Sequence, residues 1–194
     1  MANVLAVHSV GQSLVTALRN AYPQSLRDIH SCDFSLISSG ELAKEKDIET
    51  ALTLYLYRVT MNEHLRSARR PSEPFDESTP LSVDLHYLMT VWADSAVAEH
   101  AILAWAMLQL HHHPVLDRSS LSPEADWNPG DFVQVIPAEL SNEDIMRIWD
   151  ALEPSYRLSV SYIARVVRIN AERPAPMRPA VATRFAVAGA LEGP

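Results

Sequence analysis

What this chain lacks narrows its class first. Cysteine occurs once in 194 residues, at Cys32, so an intrachain disulfide framework is excluded and a reducing folding compartment is expected. As a lone unpaired cysteine, that thiol reads as a packed side chain rather than a nucleophile. Glycine is scarce at five residues, and none is arranged as a phosphate-cradling loop or dinucleotide fingerprint. No apolar run reaches the roughly 18–20 residues needed to cross a bilayer. The opening segment has no basic region ahead of its apolar residues and does not read as a secretory signal. Folding in the cytoplasm is therefore expected.

What is present is enough for one domain: 47% of residues are apolar, sufficient for a single continuous core. Net charge is −8, but it is unevenly spread. From Tyr156 onward there are six arginines against two glutamates, a net +4, which leaves residues 1–155 with ten basic and 22 acidic side chains, a net −12. An acidic body opposes nucleic-acid binding, which needs a clustered positive face. The basic end suits contact with nucleic acid and, equally, an acidic neighbouring copy.

Periodicity predicts alternating helices and strands. Asn3 is the expected cap of a first helix carrying Val4, Val7, Val10, Leu14 and Leu18, ending before Pro23. Residues 32–37 alternate as a short strand, and 41–49 are a charged loop or helical turn. Residues 51–59 carry the strongest strand signal. An exposed loop with Arg66, Arg69 and Arg70 leads from there to a strand at 81–92, and the two are expected to pair antiparallel. Asp94 or Ser95 caps a second helix with Ala98, Ile102, Trp105, Ala106 and Leu110 inward, closed by Pro114. Residues 115–130 are rich in turns, and 132–136 form a strand. Ser141 with Asp144 launches a helix over 145–152 that turns Ile145, Ile148, Trp149 and Leu152 inward. In a last strand over 157–169, Leu158, Val160, Tyr162 and Val166 face inward, opposite Ser159, Ser161 and Arg165.

The expected architecture is therefore α/β (α+β), a mixed or antiparallel sheet flanked by two to three helices. One domain spans 1–170. Residues 171–194 form a proline-rich linker and an extended C-terminal arm. The prolines at 174, 176 and 179 exclude helix and central strand and make a stiff spacer. Beyond it, 181–191 is apolar and mildly β-prone.

Catalytic constellations are poorly supported. His111, His112 and His113 are consecutive, so on a helix they point about 100° apart and cannot converge on one ion; a polar helix end favoured by the helix dipole is the simpler account. Ser82, Asp84 and His86 share a strand face, yet no nucleophile elbow or oxyanion loop accompanies them. Trp92, Trp105, Trp127 and Trp149 are dispersed as packing aromatics, without the shared strand face of a stacking platform. No metal, cofactor or catalytic group is assigned.

Several segments taken together carry a resemblance: VLAVHSVGQSLVTAL, LTLYLYRVTMNEHLR, PLSVDLHYLMTVWADSAVAEHAILAWAMLQL, and LSNEDIMRIWDAL followed by YRLSVSYIARVVRI. Across roughly residues 3–170 the chain resembles the cap, or tail-terminator, proteins of extracellular contractile injection systems, which are phage-tail-like particles without a head. The resemblance implies a hexameric ring on the distal end of the inner tube and sheath, ending polymerisation and holding the sheath extended. It implies no enzymatic activity, cofactor, membrane or nucleic acid, and a particle that is released outside the cell or kept within it. The run at 111–113 departs from the aspartate-bearing loop expected of relatives. Ring closure needs heterologous contacts, and an extended segment adds well to a sheet edge. The arm is accordingly expected to bind a sheath subunit through Arg178, Val181, Thr183, Arg184, Phe185 and Val187. The competing functions are a phage-type tail-completion protein, a small hydrolase using Ser82 and His86, and a nucleic-acid-binding regulator using Arg66, Arg69, Arg70 and the arm.

Overall fold

The computed structural model describes residues 2–42, 49–62, 80–152 and 155–170. Most of the loop with Arg66, Arg69 and Arg70, part of the charged stretch at 41–49, and the whole arm, with Arg178, Val181, Thr183, Arg184, Phe185 and Val187, lie outside the described residues. Helix α1 (Ala6–Ala21) and the single turn α2 (Gln24–Arg27) precede strand β1 (Asp33–Ile37) and a second turn, α3 (Ser39–Leu42). Strands β2 (Ala51–Met61) and β3 (Leu81–Trp92) lead into helix α4 (Ala96–His112) and the two-residue strand β4 (Val115–Leu116). Strand β5 (Val133–Pro137), helix α5 (Asn142–Asp150) and strand β6 (Ser159–Ile169) complete the order.

One six-stranded sheet runs β1-β2-β3-β6-β5-β4. The expected β2–β3 pairing is antiparallel, with Leu54 opposite Met89, and β6 joins the far side of β3 with Tyr87 opposite Tyr162. Only β1 runs parallel to its neighbour, β2. The fold is thus the expected mixed α/β class, although β4 is too short for periodicity to reveal.

Helices α1 and α4 cover one face. Val10, Leu14 and Leu18 of α1 and Ile102, Ala106 and Leu110 of α4 bury against Leu52, Leu54, Leu85, Tyr87, Met89 and Ala164. These are the stripes the helical periodicity predicts, with two corrections at the start of α1. The helix opens at Ala6, and Asn3 lies too far upstream to cap it. Its Oδ1 accepts the Leu5 N–H at 2.8 Å, while its amide donates to the Glu124 carbonyl at 3.1 Å. Val4, expected in the buried stripe, is 69% exposed because it precedes the helix. Ser95 caps α4, its side chain accepting the Ala98 N–H, and Ser141 caps α5 by accepting from Asp144.

The opposite face carries a smaller core: Leu42, Ala51, Leu88, Trp92 and Trp149, with Ile145 and Ile148 of α5 packed against it. Ser159 and Ser161, opposite the apolar row of β6, are 8% and 3% exposed because α5 closes their side of the sheet. Each hydroxyl is satisfied there. Ser161 meets the Tyr57 hydroxyl at 2.9 Å and Ser159 meets Thr90 at 2.9 Å, as burial of a polar group requires. Arg165 pairs in register with Gln134 of β5. Val166 does not continue the inward row, since it sits in a bulge with φ of 61°.

Candidate partner-binding surfaces

The polar row on β3 is structural scaffolding. Between the Val83–Val167 and Leu85–Ala164 pairs the ladder of β3 and β6 slips by one residue. Val166 turns into the left-handed region there, an uncommon conformation for a β-branched side chain. Asp84 holds the irregularity: its Oδ1 accepts the Val166 N–H at 2.8 Å, and both its oxygens lie 3.0 Å from the amide nitrogen of buried Asn62. His86 turns to Thr60, with Nε2 and Oγ1 2.9 Å apart, and packs edge-on to Tyr57. Burial, reinforced by Arg58, pushes the His86 pKa below its ordinary value against the opposing pull of Asp84. Ser82, Asp84 and His86 therefore share a face without forming a relay: the carboxylate serves the bulge, and the imidazole serves β2.

The remaining residues singled out by type are also engaged in packing or helix ends. His111 and His112 end α4 with ring centroids 5.6 Å apart, and His113 is its C-terminal cap. Among the described residues no group of three His, Cys, Asp or Glu side chains is placed to hold a metal ion. Trp105 closes an edge-to-face cluster with Tyr22 and Phe34 at 4.9 and 6.0 Å. Trp92 donates to Thr53 and stacks edge-on to Trp149, joining β3 to α5. Trp127 donates to buried Ser9 at 2.9 Å, while the Ser9 hydroxyl donates to the Ser122 carbonyl at 2.9 Å. That pair of bonds fastens the turn-rich segment after β4 to α1. Burial pushes the Cys32 thiol up to about 12, so it is held as the unreactive thiol.

Among the described residues, three surfaces stand out. The outer side of α4 exposes Val97, Met107 and Leu108. Val59, Met61 and Leu81 are exposed at the end of the sheet where β2 stops and β3 begins. Third, a groove of about 740 Å³ runs along β1, walled by Arg19 of α1, Ser35, Leu36 and Ile37 of the strand, and Leu42 and Glu49 beyond it. Sequence patterning could not reveal this groove. It exists because β1 occupies the end of the strand order, a property of tertiary pairing. No helix among the described residues is long and apolar enough to cross a membrane.

The described residues form a mixed α/β sheet with helices on both faces, its polar groups engaged in bulges, caps and loop fastening. A family model described as the Pvc16 N-terminal domain matches residues 9–183, and the chain belongs to that family. Two cryo-EM structures share the fold. One is the sheath/tube terminator of PVC, an extracellular contractile injection system, in its extended state. It gives a TM-score of 0.54 at 19% identity over 94% of this chain and 65% of that one. The other is the tube terminating cap of the anti-feeding prophage, with a TM-score of 0.53 at 18% identity over 88% of this chain and 60% of that one. The chain therefore spans slightly less than two thirds of either protein. No curated protein sequence matches it.

Proposed function

We propose that this chain is a structural cap. It forms a closed ring on the distal end of the inner tube and sheath of a contractile injection system, terminates their assembly and anchors the sheath in its extended state. The observation that carries this function is membership of the Pvc16 N-terminal domain family over residues 9–183, joined to a fold shared over 94% of the chain with a sheath/tube terminator. The ring is a homohexamer, matching a six-fold tube, and each contact is heterologous so that the ring closes on itself. It works without cofactor or turnover, through binding surfaces alone. It is assembled in the cytoplasm and becomes part of a particle that is released or retained.

The arm beyond 171 docks as an added strand on an adjoining subunit, either of the sheath or of the cap. Arg178, Val181, Thr183, Arg184, Phe185 and Val187 make that contact. Two experiments test these statements. Omitting the chain from an otherwise complete particle should give tubes of uncontrolled length, and tubes of unchanged length would contradict the cap. Truncation after Glu172 should release the cap from purified particles; a normally attached cap on an intact extended sheath would contradict the arm's role.

A further inference from the structure

The free edge of β1 is a docking place for an extended strand, and the arm of this same chain has the matching character. We infer that the groove along β1 receives residues 181–187 of a second copy. The inference rests on the proposed ring, in which copies meet side by side, and names the surface that joins them.

Backbone alternation defines the edge. The Asp33 N–H donates inward to Thr50 at 3.1 Å, and β1 pairs in parallel register with β2 from Asp33 opposite Ala51 to Ile37 opposite Tyr55. Alternate residues of such a strand turn their main-chain groups to opposite sides. Those of Ser35 and Ile37 therefore serve β2, and those of Phe34 and Leu36 look outward, where no described strand lies beside them. The Arg19 guanidinium already donates to the Phe34 carbonyl. Among the described residues, the Leu36 N–H and C=O are the rung left without a strand partner beside the groove.

The occupant follows from composition, charge and direction. Val181, Thr183, Phe185 and Val187 alternate with Ala182, Arg184 and Ala186, a two-residue period suited to a strand. Seven such residues span about 23 Å, enough to cover the whole of β1. From 173 to 191 the arm has three arginines and no carboxylate, whereas among the described residues the groove lining sets Asp33, Glu41 and Glu49 against the single cation Arg19. Direction separates a neighbour from the chain itself. Strand β1 pairs with the start of β2, which lies opposite the end of β3, while β6 ends at Ile169 opposite Leu81. The chain thus leaves the sheet at the end opposite β1 and travelling away from it.

The test is cysteine pairing in assembled particles, with Cys32→Ser removing the native thiol. Ser35→Cys in one chain and Thr183→Cys or Ala182→Cys in another should give a disulfide-linked dimer from mixed chains. A chain bearing both an edge and an arm cysteine should give a ladder of linked copies. Leu36→Pro removes an outward N–H, which an edge strand tolerates, together with a leucine side chain packed on the core. It should weaken strand docking about tenfold, through one lost hydrogen bond and a strained rung. Its thermal unfolding, measured in parallel, separates misfolding from lost docking. Closure of the doubly substituted chain on itself, linkage of the arm cysteine to a sheath or tube subunit, or no linkage in particles that contain the chain would each overturn the inference while leaving the cap standing. Particles lacking the chain altogether would remove both.

Discussion

Asp84→Ala should destabilise the domain by about 3 kcal/mol, because it removes the acceptor around which a sheet irregularity is built. The carboxylate takes the Val166 N–H at 2.8 Å and the Asn62 amide at 3.0 Å, and Asn62 is only 3% exposed. Hydrogen bonds to a charged group contribute about 1.5 kcal/mol each at the lower end, and alanine leaves both donors without that acceptor. In a domain of this size each kcal/mol lowers the melting temperature by roughly 2–4 °C, so a fall of about 6–12 °C is expected. Asp84→Asn keeps an oxygen for Val166 but sets an amide against Asn62, and should lose about half as much. The assay is two-state thermal unfolding followed by circular dichroism. A change below about 2 °C for the alanine variant would refute the claim that Asp84 holds the bulge.

Ser9→Ala should cost about 2–3 kcal/mol, since it strands the Trp127 indole N–H and the Ser122 carbonyl; an unchanged unfolding midpoint and unchanged tryptophan emission would contradict the fastening of that segment to α1. With its pKa pushed up to about 12, Cys32 should react with iodoacetamide at pH 8 at least about tenfold more slowly than a free thiol, and at the ordinary rate once the chain is unfolded. Equal rates in the two states would show that the thiol is not held by burial. The lowered pKa of His86 means that the unfolded chain binds this proton more readily than the folded one. Stability from that site is therefore intact above the ordinary histidine pKa, near 6.5, and declines as pH falls below it. In His86→Gln that acid-side decline should be shallower, and an identical pH profile would contradict the assignment.

Local patterns in this sequence were faithful where one element decides its own fate. The alternation at 81–92, the Ser95 and Ser141 caps and the stripe of Ile102, Ala106 and Leu110 all depend on residues a few positions apart. What escaped depends on distant packing. Alternation sets Ser159 and Ser161 opposite the apolar row, but that a helix launched at Ser141 covers them is decided by packing. Val166 looks like one more inward valine, while the extra residue that throws it into a left-handed turn is defined only by pairing with β3. Asn3 has a cap's chemistry, but it is used by the segment around Glu124, more than a hundred residues later. The same limit applies to the binding surfaces. The arm's basic charge and its prolines can be read along the chain, but the edge that would receive it cannot, because β1 becomes an edge only through the strand order.

The cap itself is tested most directly by locating the chain on intact particles. Particles carrying an epitope-tagged copy, decorated with gold-labelled antibody and imaged by electron microscopy, should show label at one end only, the end distal to the baseplate, with density for a closed ring there. Label distributed along the sheath, label at the baseplate, or intact length-controlled particles with no label at all would contradict the account.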